Sequence, residues 1–281
     1  MIRCIAFFVA LLWVVVLPAQ PKSCCETECA TPTAAFASLG MEVDFRTTHA
    51  NPTGFILEDP RGTAVKFLTP DGQTANGYYI PAETPSPNYL LVIHEWWGLN
   101  DYVRNESDRL HAALGNVNVL ALDLYDGKVA TERAQAAEYM RGASEERIRA
   151  IVRGALNNVG PQAKVQTIGW CFGGGWSHQT AIMAGTQASG CVIYYGMPES
   201  DPEKLGALQA PVLGIFAGQD KWINGEVVAK FEGAMREAGK TVTTKTFDAA
   251  HAFANPSRDI YDETATREAN QMALDFLKAH F

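Results

Sequence analysis

Five short apolar runs, separated by longer charged stretches, set the architecture this chain predicts. Tyr89–Ile93 leads into His94-Glu95, Val117–Leu122 ends in Asp123, and Val165–Gly169, Cys191–Tyr195 and Val212–Phe216 continue the series. Runs this short and this apolar suit strands buried on both faces of a parallel sheet. Helix-like stretches fall between them: Asp101–Leu114, a long charged segment Thr131–Leu156, small apolar Gly174–Ala184, then Gly225–Ala238 and Asp262–His280. Strands alternating with helices predict βαβ units, and hence an α/β fold, a three-layer sandwich around a mostly parallel central sheet. Before the first run, Thr63–Tyr79 reads as an antiparallel hairpin turning at Pro70-Asp71-Gly72. Residues 20–54, rich in Thr, Ala and Pro, read as an irregular leader, and residues 55–281 as one domain.

The N-terminus changes the picture. Arg3 precedes an uncharged apolar run, Cys4–Leu17, and Ala19 stands where a signal peptidase could cut. Residues 1–19 therefore predict a secretory signal peptide, with an uncleaved anchor as the rival reading, and a periplasmic or extracellular mature protein. Cys24, Cys25 and Cys29 crowd the new N-terminus, where they could pair or, at Cys24 or Cys25, carry a lipid anchor.

Composition narrows the function classes. A chain of 281 residues, 47% hydrophobic, can bury a large core. With 31 acidic against 23 basic residues and a net charge of -8, it lacks the concentrated positive charge that nucleic acid needs. No run after the leader is long enough to span a bilayer.

The sharpest chemical signal is Ile168-Gly169-Trp170-Cys171-Phe172-Gly173-Gly174-Gly175. A strand ends, glycines flank Cys171, and a small-residue helix begins, which is the Gly-x-Ser-x-Gly nucleophile elbow with sulfur for oxygen. The turn is too tight for side chains two positions either side. The helix N-terminus favours a thiolate, and the Phe172 N–H faces the same space as an oxyanion donor. Cys191, inside an apolar run, reads as core.

A thiol needs a base and the base an orienter. Asp220 follows the Val212–Phe216 run in Gly218-Gln219-Asp220, and His251 follows the last strand in Phe247-Asp248-Ala249-Ala250-His251. That is the chain order of an α/β-hydrolase: nucleophile, acid, histidine. Asp248 competes with Asp220 as orienter. His178 lies two helical turns from Cys171, while His49 in the leader, His111 and His280 follow no strand end. His94-Glu95 does not extend to a zinc protease motif, because Gly98 stands where the second histidine belongs, and neither metal nor cofactor is expected. Trp96, Trp97, Trp170, Trp222, Tyr125 and Phe253 fall near strand ends and read as an aromatic pocket or as core.

Between residues 60 and 281 the ordered series His94-Glu95-Trp96-Trp97-Gly98, Asp123-Leu124-Tyr125, Gly169-Trp170-Cys171-Phe172-Gly173-Gly174, Gly218-Gln219-Asp220 and His251-Ala252-Phe253 resembles the dienelactone hydrolase family. The resemblance implies that Glu95 contacts the resting thiol and helps generate the thiolate, and that the Trp96 N–H joins Phe172 in an oxyanion hole. It also implies two arginines for a substrate carboxylate. Arg133 matches one loosely; Asn255 occupies the other position, with Arg258 shifted by three. The expected activity is hydrolysis of a small ester or lactone by Cys171, His251 and Asp220, without preference for an anionic dienelactone. Rival readings are a catalytically silent exported binding protein and a thiol-redox protein; Cys171 has no neighbouring cysteine to support the latter.

Overall fold

The computed structural model of the chain describes Met1 and residues 31–281. Two short helices come first, α1 (Pro32–Leu39) and α2 (Val43–Thr48), then the hairpin β1 (Thr63–Leu68) and β2 (Thr74–Ile80). Strands and helices alternate from there: β3 (Asn88–Ile93), α3 (Asp101–Leu114), β4 (Asn118–Leu122), α4 (Arg133–Gly142), α5 (Glu145–Val159), β5 (Lys164–Trp170) and α6 (Phe172–Ala184). The chain closes with β6 (Ala188–Tyr194), α7 (Pro202–Leu205), β7 (Val212–Ala217), α8 (Gly225–Glu237), β8 (Val242–Phe247) and α9 (Glu263–His280). Among the described residues no helix is long and apolar enough to cross a membrane.

The strands form one sheet in the order β1-β2-β4-β3-β5-β6-β7-β8. β2 runs antiparallel to both β1 and β4, and the remaining pairs are parallel. The central strands are apolar throughout because helices cover both faces: Leu90–Ile93, Val119–Leu122 and Cys191–Tyr194 are all essentially inaccessible. Edge strands β1 and β8 are mostly exposed or half-buried instead, with Phe67 and Phe247 as their buried positions. α3 and α9 pack together on one face, while α5 and α6 lie on the other, where His178 of α6 meets Phe231 of α8.

The connections turn back at β3. From β3 the chain crosses to β4 on one side, then returns to place β5 on the other, with Ile93 paired to Gly169. Such a switch point opens a crevice beyond the strand ends. Glu95 and Cys171, each two residues past that pair, emerge side by side.

Two expectations need correction. The segment Thr131–Leu156 is not one helix: Ala143 is extended, and Ser144 starts α5 afresh by accepting the Arg147 N–H at 3.4 Å. The leader is not irregular between residues 31 and 50. Thr31 caps α1, and Phe36 and Phe45 are buried in the main core, so this segment is a strap across the domain rather than a detached leader. The expected signal peptide, and Cys24, Cys25 and Cys29, lie outside the described residues.

Candidate active site

Cys171 sits between β5 and α6 with φ 56°, a left-handed conformation that a residue with a side chain adopts only under constraint. The constraint is visible. A Cβ on Gly169 would collide with the Gly173 carbonyl, and one on Gly173 with the backbone of Ile93 and His94. The Cys171 N–H is held by the Tyr194 carbonyl at 2.9 Å. The Phe172 N–H faces the sulfur.

His251 and Asp220 converge on this thiol from the ends of β8 and β7. His251 Nε2 lies 3.4 Å from Cys171 Sγ, and His251 Nδ1 lies 2.5 Å from Asp220 Oδ2. The other oxygen of Asp220 accepts the Trp222 and Ile223 N–H groups at 2.8 and 3.0 Å. Asp248 is exposed and accepts from Gln219 instead, so it does not orient the histidine.

The charges follow from this packing. Burial, seconded by the charge of Glu95, pushes the Cys171 thiol up, against the pull of His251 and the Phe172 N–H. Burial would draw His251 down, but the charges of Asp220 and Cys171 outweigh it and carry it up to about 10. Burial likewise works against the Asp220 carboxylate, yet His251 and the two N–H donors hold it below its ordinary value.

Glu95 departs from what the resemblance implies. Its Oε2 accepts the Asn255 side-chain amide rather than meeting the thiol, and its Oε1 has no partner. Burial raises this carboxyl, against Arg258, His251 and Asn255. His94 fixes the backbone here: Nδ1 faces the Glu95 carbonyl at 2.5 Å and Nε2 accepts the Leu124 N–H at 3.0 Å.

The other expected residues divide. Trp97 lines a cavity of about 210 Å³ that also borders Glu95, Trp170, Tyr195, Asn255 and Arg109. Cys171 and His251 do not line it; the strap covers them. Trp222 packs against Phe45 and donates its indole N–H to Glu42 at 3.0 Å, which ties it to the strap. Tyr125 is buried with its ring 5.7 Å from that of Phe172 and does not border the cavity. Phe253 is wholly buried against Tyr195 and Phe247 and does not border the cavity. Arg133 does not reach the site: it is exposed at the start of α4, where its backbone N–H meets Asn51.

Three residues outside the expected catalytic and substrate-binding set do reach it. Arg258 turns inward, 5% exposed, donating Nη2 to the Thr48 carbonyl while Nε and Nη1 remain unpartnered. Tyr195 places its ring 5.3 Å from that of His251. His49, 2% exposed, also lies 5.3 Å from His251, ring to ring. Donor atoms of His49, Cys171 and His251 fall within 4.8 Å of one another, the one arrangement among the described residues with the makings of a metal site.

The dienelactone hydrolase family model matches residues 76–281. The chain belongs to that family. It is 28% identical over 232 residues to the protein usf of Aquifex pyrophilus, covering 78% of this chain and 99% of that one. It is also 28% identical over 213 residues to a carboxymethylenebutenolidase of a Pseudomonas species, covering 71% and 87%. Among solved structures, a dienelactone hydrolase-like promiscuous phosphotriesterase from metagenomic libraries superposes with a TM-score of 0.68 at 22% identity, covering 79% of this chain and 99% of that one. This dienelactone hydrolase-like protein is thus a hydrolase of ester or lactone bonds on the α/β-hydrolase fold.

Proposed function

We propose that the enzyme cleaves small esters or lactones through a thioacyl intermediate on Cys171. The observation that carries this reading is the line of contacts from Cys171 Sγ to His251 to Asp220, set on a strained elbow. His251 holds the proton it shares with Cys171 as the sulfur attacks the carbonyl carbon, and the carbonyl oxygen becomes an oxyanion held by the Phe172 and Trp96 N–H groups. Collapse expels the alkoxide, which receives the proton from His251. Water then attacks the thioester, His251 takes its proton, and the acid leaves as the thiol re-forms. Asp220 keeps the imidazole in the tautomer that makes both transfers possible. With Glu95 engaged by Asn255, His251 is the base poised at the thiol in this arrangement. Substrate reaches Cys171 by displacing the strap. A panel of chromogenic esters and lactones tests the reading: turnover by the wild type that Cys171→Ala abolishes supports it, and binding without turnover sinks it.

The exported location is part of the same proposal. Arg3, the apolar run Cys4–Leu17 and Ala19 support removal of residues 1–19, with Cys24 and Cys25 the candidate lipid carriers. Intact mass of protein from its native host tests this; a mass retaining Met1–Ala19 contradicts it.

A further inference from the structure

His49 has no part in the hydrolytic scheme, yet its placement is specific. It caps the C-terminal end of α2, and its Nδ1 lies 2.5 Å from the Phe45 carbonyl. That contact requires the proton on Nδ1, which leaves Nε2 with a bare lone pair. Nε2 is buried and has no partner in the protein. A buried acceptor with nothing to accept from is unfavourable, and it demands an explanation.

That nitrogen faces two other donor atoms. His251 donates Nδ1–H to Asp220, and its Nε2 and Cys171 Sγ, 3.4 Å apart, share a proton that a metal ion can displace. Two imidazoles and a sulfur therefore point their donor atoms at one small volume, all within 4.8 Å. We propose that His49, Cys171 and His251 form a zinc(II) site, through which the metal holds the strap closed and the hydrolase inactive.

The donor set fits zinc. Two nitrogens and one sulfur suit this borderline-soft ion, with a water in the fourth position. Zinc–sulfur bonds of about 2.3 Å and zinc–nitrogen bonds of about 2.0 Å place tetrahedral donors roughly 3.3–3.6 Å apart. The Cys171–His251 separation already matches, and His49 needs to close by no more than about 1.5 Å to complete the set. Metal-bound histidines donate their second N–H to a carboxylate or a carbonyl, and here Asp220 and the Phe45 carbonyl already accept those bonds. The thiolate and Asp220 offset the charge of the ion, while Arg258 and Glu95 beside them offset each other. On binding, the proton shared by Cys171 and His251 passes to solvent as the sulfur–zinc and nitrogen–zinc bonds form. The nucleophile and the base then both have their lone pairs engaged, and hydrolysis stops. Binding stands on the donor geometry alone; only the inhibition rests on the proposed mechanism.

The test is titration of the full chain, carrying Cys24→Ser, Cys25→Ser and Cys29→Ser to remove competing thiols, with cobalt(II) as a coloured stand-in and then zinc(II). The expected result is a thiolate-to-cobalt absorption that saturates at a single equivalent, is bleached by zinc, and is absent in Cys171→Ala. His49→Gln, with His49→Ala as a second variant, weakens binding by about tenfold or more. Zinc suppresses ester hydrolysis over the concentration range in which it bleaches cobalt, and a chelator restores it. No absorption dependent on Cys171, or equal affinity in both His49 variants, overturns the site. An intact cobalt site in a chain without any turnover leaves the site standing and sinks the hydrolytic reading instead.

Discussion

The ring of Phe45 meets that of Trp96 edge-on, with centroids 5.4 Å apart, and through this contact the segment before the sheet becomes a wall of the active site. Phe45 is wholly buried and also touches Trp222, Phe36 and the rings of His49 and His251. It is the anchor of the strap.

Phe45→Ala should release the strap while leaving the domain folded. A buried Phe→Ala change costs about 3–5 kcal/mol, enough to shift the strap toward its open state by about a hundredfold or more. The readout is the rate at which a small thiol reagent modifies Cys171, which is 1% exposed with the strap in place. Modification should accelerate by a similar factor, with Cys191 in β6 still protected as an internal control. An unchanged rate means that the strap does not guard the thiol.

Arg258 bears on substrate charge. Asn255 stands where the family resemblance implies an arginine, and from the sequence this argues against a preference for anionic substrates. The structure supplies a cation by another route, because Arg258 turns inward with Nε and Nη1 unpartnered. Arg258→Gln should lower the ratio of kcat/KM for a carboxylate-bearing lactone over a matched neutral one, on the order of a hundredfold. A ratio that Arg258→Gln does not move rules this residue out as a partner for the substrate.

His178 offers a pH-dependent test of stability away from the chemistry. Burial in α6 pushes it down to about 3; its Nδ1 accepts the Glu199 N–H at 3.1 Å. Above pH ~6.5 the residue is neutral both folded and unfolded. As pH falls below that value the unfolded chain takes up a proton that the folded chain refuses, so stability drops until pH reaches about 3. The full loss is on the order of 5 kcal/mol. His178→Gln keeps an acceptor for Glu199 and removes this component. Denaturant titrations at pH 7 and pH 4 should show the variant gaining on the wild type as the medium is acidified; a constant difference refutes the assignment.

The sheet and the thiol, histidine and carboxylate were legible in the sequence because each leaves a local mark. Leu90–Ile93 and Cys191–Tyr194 are apolar on both faces, and Cys171 lies between glycines that the turn requires. Asp220 and His251 each follow a strand end in family order. The break between α4 and α5 left a mark as well, Ser144 before Glu145-Glu146, but the surrounding charged helical pattern runs across it. The strap left the least. Thr31-Pro32 is a fair helix start, yet two helices of eight and six residues have no stability of their own and form only against Trp96, Trp222 and α6. His49 and Arg258 reach the site through those long-range contacts, so their positions relative to strand ends carried no sign of it. The same reason misplaced Arg133, whose spacing in the chain matches while its direction does not.

Covalent capture of the intermediate tests the central proposal most directly. An ester whose thioester hydrolyses slowly is mixed with the enzyme, quenched in acid during turnover, and digested for peptide mass analysis. The account predicts the mass of the acyl group on the peptide containing Cys171, in an amount that rises and decays with turnover and is absent from Cys171→Ala. Turnover with no acyl group on Cys171, or with the acyl group on another residue, contradicts it.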